Sequence, residues 1–289
     1  NIILLNGKRL ILNGVNRHEW NANNGRVISI DDMKWDIDCM IKNNINAVRT
    51  SHYPNQIPWY YLCDKNGIYV MAESNLESHG SWMKMGKVDP SWNVPGDIPQ
   101  WKISVMERAR SNFETFKNHT SILFWSLGNE SYAGENIKSM NEFFKEKDPS
   151  RLVHYESVYH NKKYKEFISD IESTMYSTPK EIINYLNSNP KKPFLICEYM
   201  HCMGNSLGGM KEYIDLIDKY EMYHGGFIWD FIDQAIYVMD EITGDKVLRY
   251  GGDFDDRPSD YEFSGNGIVF ANREEKPAIQ EVKYYYGLH

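Results

Sequence analysis

The stretch Ser121-Ile122-Leu123-Phe124-Trp125-Ser126-Leu127-Gly128-Asn129-Glu130 decides how the chain is read. Its first part, Ser121 to Ser126, is an apolar run without alternation, as expected of a strand buried on both faces. It runs out into polar residues. Upstream, Trp101 to Phe116 carries Ile103, Met106, Ala109, Phe113 and Phe116 at helical spacing. Downstream, Ile137, Met140 and Phe144 mark another helix. Helix, buried strand, helix is the unit of a parallel sheet covered by helices.

The unit recurs in both directions. Before it, Leu10-Ile11-Leu12 leads into Asn13-Gly14-Val15 as a first strand, Ala47 to Ser51 is a second and Ile68 to Ala72 a third. Between the first two, Asp32 to Asn44 reads as a helix with Met33, Ile37, Met40 and Ile41 on one face. After it come strands at Leu152 to Tyr155, Ile171 to Met175 (weaker), Phe194 to Cys197 and Gly225 to Trp229. A further helix is marked by Tyr213, Leu216, Ile217 and Tyr220. Eight strand–helix repeats predict a (β/α)8 TIM barrel, with residues 1–289 as one catalytic domain. An open doubly wound sheet is the runner-up, but no Gly-rich phosphate loop follows the first strand. Ser81 to Gln100, rich in Gly, Pro and Trp, reads as one long loop.

Composition narrows the function. The chain has 289 residues and a formal charge of −8. It shows no Lys/Arg stripe, which argues against nucleic acid. No apolar stretch approaches the length of a membrane span, and no leader is visible. The chain begins at Asn1 and is read as a piece of a longer protein. Cys39, Cys63, Cys197 and Cys202 match no zinc spacing and no disulfide framework, so reduced thiols and a cytoplasmic location are expected. The 8 Trp, 20 Tyr and 12 Phe are mostly core, with some expected to line a sugar-stacking cleft.

Barrel enzymes place catalytic groups just past the carboxyl ends of strands. There this chain has Arg49-Thr50-Ser51-His52, Glu73 through Glu77 to His79, Asn129-Glu130, Glu198-Tyr199-Met200-His201 and Trp229-Asp230. Two glutamates, Glu130 and Glu198, at the ends of strands four and seven face each other across a barrel mouth, as glycoside hydrolysis requires. Position alone weighs catalysis and a structural ion pair, with an arginine such as Arg49, equally. Glu77 and His79 point the same way in an extended segment. With a further carboxylate they would suit a divalent cation, although a hydrogen-bonded loop pair is the better reading of that spacing alone. His18, His52 and His201, taken singly, read as structural.

Taken together, the motifs resemble glycoside hydrolase family 2. The match runs through Gly14-Val15-Asn16-Arg17-His18-Glu19, Asn46-Ala47-Val48-Arg49, Ser51-His52-Tyr53-Pro54-Asn55 and Glu77-Ser78-His79-Gly80. It continues through Trp125 to Ser131, Cys197-Glu198-Tyr199, His201 to Ser206, Gly225 to Asp230 and Gly251 to Phe254. The His201-Cys202-Met203-Gly204-Asn205-Ser206 run leans toward the galactosidases of the family over its glucuronidases and mannosidases. The resemblance implies a retaining β-galactosidase with Glu130 as acid/base and Glu198 as nucleophile. It implies that Asn129 holds the sugar 2-hydroxyl, that Tyr176 bonds near the nucleophile, and that His18, His52 and His201 contact the galactosyl group. Trp229 would floor the subsite. Glu77, His79 and Glu130 would bind Mg²⁺, and Phe263 and Asn266 would stand at a Na⁺ site. It further implies β-sandwich domains flanking the barrel, one carrying an aspartate that completes the sugar and Na⁺ sites. A β-galactoside such as lactose would be the substrate, and the whole protein would be a homo-oligomer. The alternatives are a sister β-glycosidase such as a glucuronidase, marked by a basic residue placed for a sugar carboxylate, and a non-catalytic sugar-binding barrel, marked by loss of one glutamate.

Overall fold

The computed structural model describes residues 1–79 and 93–289. Eight strands form one parallel sheet: β1 (Leu12–Asn16), β2 (Ala47–Arg49), β3 (Tyr69–Glu73), β4 (Ile122–Ser126), β5 (Leu152–His154), β6 (Glu172–Met175), β7 (Phe194–Tyr199) and β8 (Tyr223–Ile228). The hydrogen-bonded order is β5-β4-β3-β2-β1-β8-β7-β6. The sheet therefore curls until β1 meets β8, with Gly14 beside Phe227, and leaves β5 and β6 as facing edges. Side chains and loop backbone bridge that seam. His154 Nε2 lies 2.8 Å from Ser173 Oγ, Tyr155 N–H donates to Ser169 Oγ at 3.1 Å, and Asp170 N–H donates to Val153 O at 2.9 Å. Between β5 and β6 the chain makes only two short 3-10 turns, Ser157–His160 and Lys162–Tyr164, in place of a covering helix.

The strand sequences do not alternate because both faces are buried, yet the fold sorts them with period two. Leu12, Ala47, Met71, Phe124, Ile171, Leu195 and Phe227 fill the lower barrel interior, with Ile3 and Leu10 beneath them. Val15, Val48, Val70, Ala72, Trp125, Val153, Ile196 and Ile228 point outward into the helix layer. Two residues further along, the inward positions become Arg49, Glu73, Ser126, His154 and Ser173, all buried. The switch from apolar to polar inside one barrel is what makes the site.

Several strands carry register shifts, and the one on β7 bears on the site. On β7, Ile196 and Glu198 pair with the adjacent residues Thr174 and Met175 of β6. Against β8, Ile196 and Tyr199 pair with Gly226 and Ile228. β7 thus carries one extra residue relative to both neighbours. This bulge turns Glu198 inward while Tyr199 packs with the outer core.

Around the barrel lie α1 (Ile30–Lys42), α2 (Ile57–Asn66), α3 (Lys102–Phe116), α4 (Glu135–Lys147), α5 (Pro179–Leu186), α6 (Met210–Lys219) and α7 (Ile279–Tyr286). A hairpin, Ile236–Met239 with Lys246–Arg249, separates β8 from α7. The sequence reading placed Ile103 and Ile41 on buried helix faces, but both are exposed, at 78% and 48%. The buried face of α3 is Val105, Ala109, Asn112, Phe113 and Phe116, and Ile103 sits roughly 200° of helical rotation from Val105. The buried face of α1 is Met33, Asp36, Ile37, Cys39 and Met40. Residues 81–92 of the loop read over Ser81 to Gln100 lie outside the described residues, and its far end makes a short turn, Pro99–Trp101. No helix among the described residues is long and apolar enough to cross a membrane.

Candidate active site

Arg49 ends β2 at the centre of the barrel mouth, fully buried. Its Nε donates to Glu73 Oε2 at 2.7 Å. Its Nη1 donates to Asn16 Oδ1 at 3.0 Å and to Glu198 Oε1 at 2.8 Å. Its Nη2 donates to Asn129 Oδ1 at 2.8 Å. A planar fork suits this task, since one rigid group fixes acceptors from four strand ends at once. Glu73 is held in turn by Ser126 Oγ at 2.7 Å and His52 Nδ1 at 2.7 Å.

Glu198 is therefore a carboxylate with fixed partners. Tyr176 Oη donates to its Oε2 at 2.8 Å, and His52 Nε2 stands 3.8 Å from its Oε1. Burial pushes its pKa up to about 7, against the pull of Arg49 and Tyr176. The ion pair with Arg49 and the placement at the mouth occur together. They are not rival readings, because the guanidinium orients the group that faces the cleft.

Glu130 is held differently. It follows β4 in a left-handed backbone conformation, φ 36°, which is uncommon and strained for a residue with a side chain. Its carboxylate meets His79 Nδ1 at 3.1 Å. Burial first, and then the charges of Glu198, Glu156 and Glu77, push its pKa up to about 8. Both carboxyls are raised by burial, but their partners differ: Glu198 is held by Arg49 and Tyr176, whereas Glu130 faces the like charges of Glu198, Glu156 and Glu77.

The other candidates gather around the pair. Asn129 accepts from Arg49 and donates one amide hydrogen to Glu77 Oε1 at 2.9 Å, which leaves the second for a ligand. His18 lies 3.2 Å from Tyr53 Oη. Burial lowers the pKa of both His18 and His52 to about 3, so both are neutral. With Nδ1–H turned to Glu73, His52 keeps Nε2 as an acceptor. The Trp229 indole stacks on His52 at 5.2 Å and 7° and meets His18 near-perpendicular at 5.6 Å. His201 lies edge-on to Phe263 at 5.8 Å and 5.7 Å from Tyr176. A cleft of about 400 Å³, lined by His18, Arg26, His52, Tyr53, Glu77 and Arg108 among others, shares His18, His52 and Glu77 with the site.

The expected cation sites are less complete. Glu77 is turned to Asn129, and among the described residues no group of three His, Cys, Asp or Glu is placed to hold a metal ion. His79 and Glu130 supply a pair of donors where Mg²⁺ needs more. For Na⁺, the buried Asn266 Oδ1 has no hydrogen-bond partner among the described residues, while Phe263 O already accepts from Asn266 Nδ2 at 2.7 Å. One orphaned carbonyl oxygen fits a hard cation.

Arg49, Glu73, Asn16, Tyr53 and Glu156 are the residues that sequence reasoning undervalued. Arg49 appeared there as a strand-end residue and a candidate ion-pair partner but not as the hub of the site, and Glu156 not at all. Glu156 follows β5 directly, so the rule that found Glu130 and Glu198 would have found it too.

Residues 1–288 match the family model described as glycosyl hydrolases family 2, TIM barrel domain. The chain belongs to glycosyl hydrolase family 2. Among the relatives of this family 2 barrel, the beta-galactosidase large subunit of Lactobacillus acidophilus is 70% identical over 288 residues, covering 100% of this chain and 46% of that protein. The large subunit from Leuconostoc lactis is 68% identical over the same coverage. The beta-galactosidase of Clostridium acetobutylicum is 59% identical over 286 residues, 99% of this chain and 31% of that protein. The chain thus spans about half the length, or less, of the curated relatives it matches. Solved structures of similar shape include a beta-glucuronidase from Ruminococcus gnavus (TM-score 0.73, 19% identity, 99% of this chain and 52% of that one). Another is a GH2 beta-galacturonidase from Eisenbergiella tayi bound to galacturonate (TM-score 0.72, 21% identity, 100% and 53%). At these identities they speak for the barrel fold alone.

Proposed function

We propose that this barrel is the catalytic part, cut from a longer multi-domain protein, of a retaining β-galactosidase acting on β-galactosides such as lactose. The observation that carries the reading is the division between its two glutamates. Glu198, pinned by Arg49 and Tyr176, attacks the anomeric carbon and forms a galactosyl ester. Glu130, held protonated, gives its proton to the departing oxygen, then takes one from the water that releases the sugar. Asn129, His18, His52 and His201 orient hydroxyls, and Trp229 takes the apolar face of the ring.

The charge of the site supports a neutral sugar. Glu73, Glu77, Glu130, Glu156 and Glu198 surround one buried guanidinium whose donors are already spent on protein groups, and the two histidines beside it are neutral. Beside the two glutamates a uronate carboxylate would meet charge of its own sign, while Arg26 and Arg108 line the adjoining cleft. The names of the relatives agree with this reading. Mg²⁺ near Glu130 and His79, and Na⁺ at Asn266, belong to the proposal as tuning ions, and no step is routed through either. A cytoplasmic location belongs to it as well, since all four cysteines are buried and unpaired; so does homo-oligomerisation of the whole protein.

The test compares nitrophenyl β-galactoside with nitrophenyl β-glucuronide on the full-length protein and follows the anomer first released by NMR. Faster cleavage of the galactoside with β-sugar released first is the expected outcome. Preference for the glucuronide, or release of the α-anomer, overturns it.

A further inference from the structure

Glu156 is a carboxylate with no evident structural purpose. It follows β5, is 1% exposed, and sits beside the barrel's open seam, where it lines a cavity of about 290 Å³ with Tyr159, Lys162, Glu172 and Lys192. Its Oε1 accepts from Ser157 Oγ at 2.7 Å and from the backbone N–H of Glu130 at 2.6 Å. Its Oε2 has no hydrogen-bond partner among the described residues. A buried carboxylate with one orphaned oxygen is a poor device for stability, because desolvation of the charge is only partly offset. Such a feature points to function.

The group it grips tells which. Glu130 is one of the non-glycine residues with positive φ, and its N–H is aimed at Glu156 rather than at a neighbouring strand. Tyr155, the residue before Glu156, binds the next peptide along: Ser131 N–H donates to Tyr155 Oη at 3.1 Å, and Tyr155 Oη donates to Ser131 O. The end of β5 therefore clamps the turn after β4 at two consecutive residues. Misplacing a reacting group by about 1 Å costs on the order of 100-fold in rate.

We propose that Glu156 is a positioning residue for the acid/base Glu130, holding its left-handed backbone so that the carboxyl reaches the leaving-group oxygen. The proposal rests on the acid/base reading of Glu130. Its direct hold on Glu130 is made through that peptide N–H.

The experiment uses the full-length protein and measures kcat/KM on lactose, whose leaving group is poor, and on a nitrophenyl galactoside, whose leaving group needs little protonation. Glu156→Ala is expected to lower kcat/KM on lactose by about 100-fold while changing the nitrophenyl value by less than about threefold. Glu156→Gln keeps an accepting oxygen and should recover at least tenfold of the lactose loss, with a melting temperature no lower than that of the unsubstituted protein. Should the alanine variant fail to fold, Glu156→Asp, one methylene too short to reach Glu130, should show the same leaving-group-dependent loss. Equal losses on both substrates, or no recovery in Glu156→Gln, overturn the proposal. Glu130→Gln is run beside them. If it too lacks leaving-group dependence, the acid assignment itself has failed; if it shows that dependence and the Glu156 variants do not, only the positioning role falls.

Discussion

The two sides of the barrel mouth are built on different plans. On the Glu198 side, a strand residue is caught in a lattice of charged and aromatic donors, with Arg49 reaching Asn16, Glu73 and Asn129 as well. On the Glu130 side, a loop residue in an unusual backbone conformation has its carboxyl partly open and one histidine beside it. The first side fixes a charge and the second keeps a proton. Rigidity is concentrated where a bond must form along a defined line, and acidity where burial and like charge accumulate.

The most severe test of this contrast is Glu198→Gln. An amide cannot form the glycosyl ester, so kcat on nitrophenyl galactoside should fall by about 10⁴-fold or more, as measured in the full-length protein with its folding checked by circular dichroism. A loss of only a few fold would remove the nucleophile assignment.

Glu130→Gln should follow, at about 10²–10⁴-fold on lactose and far less on the activated substrate. Its pH signature is sharper than its size. Ionised Glu198 is needed, so kcat/KM rises as pH passes about 7. Protonated Glu130 is needed, so kcat/KM falls as pH passes about 8. The two limbs belong to the coupled pair. Glu130→Gln should erase the alkaline limb and leave the acid one, and a surviving alkaline limb would assign the proton elsewhere.

Arg49→Lys comes next. A point charge on a flexible stem replaces a fork that serves four acceptors. Activity should drop by about 100-fold through displacement of Glu198, and the melting temperature should fall as Glu73 loses the Nε–H that holds its Oε2. Wild-type activity in this variant would mean that the buried network is dispensable. The smallest effect is expected from chelation. A cation near Glu130 would lower its pKa, so removing divalent ions should shift the alkaline limb of kcat/KM upward, with a rate change smaller than that of Glu130→Gln. An unmoved limb would separate Glu130 from any metal.

The fold was legible because buried parallel strands are unalternated and helices are periodic, so all eight strands fell within a few residues of their observed positions. What escaped notice had weaker local signals. α2 carries apolar residues all round, with Ile57 and Tyr61 exposed and Trp59, Tyr60 and Cys63 buried, so no stripe announces it. α5 is short, although Thr178, Pro179 and Glu181 form a capping box that the sequence did display. In the site, Glu130, Asn129 and Glu198 were visible at the ends of the expected strands, whereas Tyr176 came only with the family resemblance. The dominance of Arg49 was not, since a buried arginine is valued by how many acceptors reach it, and these come from β1, β3, β4 and β7. The convergence of Glu77 with His79 and Glu130 was half met, because Asn129 competes for Glu77.

The extra residue in β7 has a consequence for how this protein can be compared with others or rebuilt. Facing in a strand is a matter of parity: even steps preserve it and odd steps reverse it. Leu195 packs inside the barrel and Ile196 outside, so plain counting would send Glu198 out among the helices and bring Tyr199 in. The nucleophile candidate owes its address to a single insertion, not to its chemical type. An alignment that slides a gap by one position across Ile196 to Tyr199 matches the letters and misplaces the chemistry. A strand transplanted into another barrel must carry that block whole, or the same glutamate becomes an unpaired charge in an oily layer.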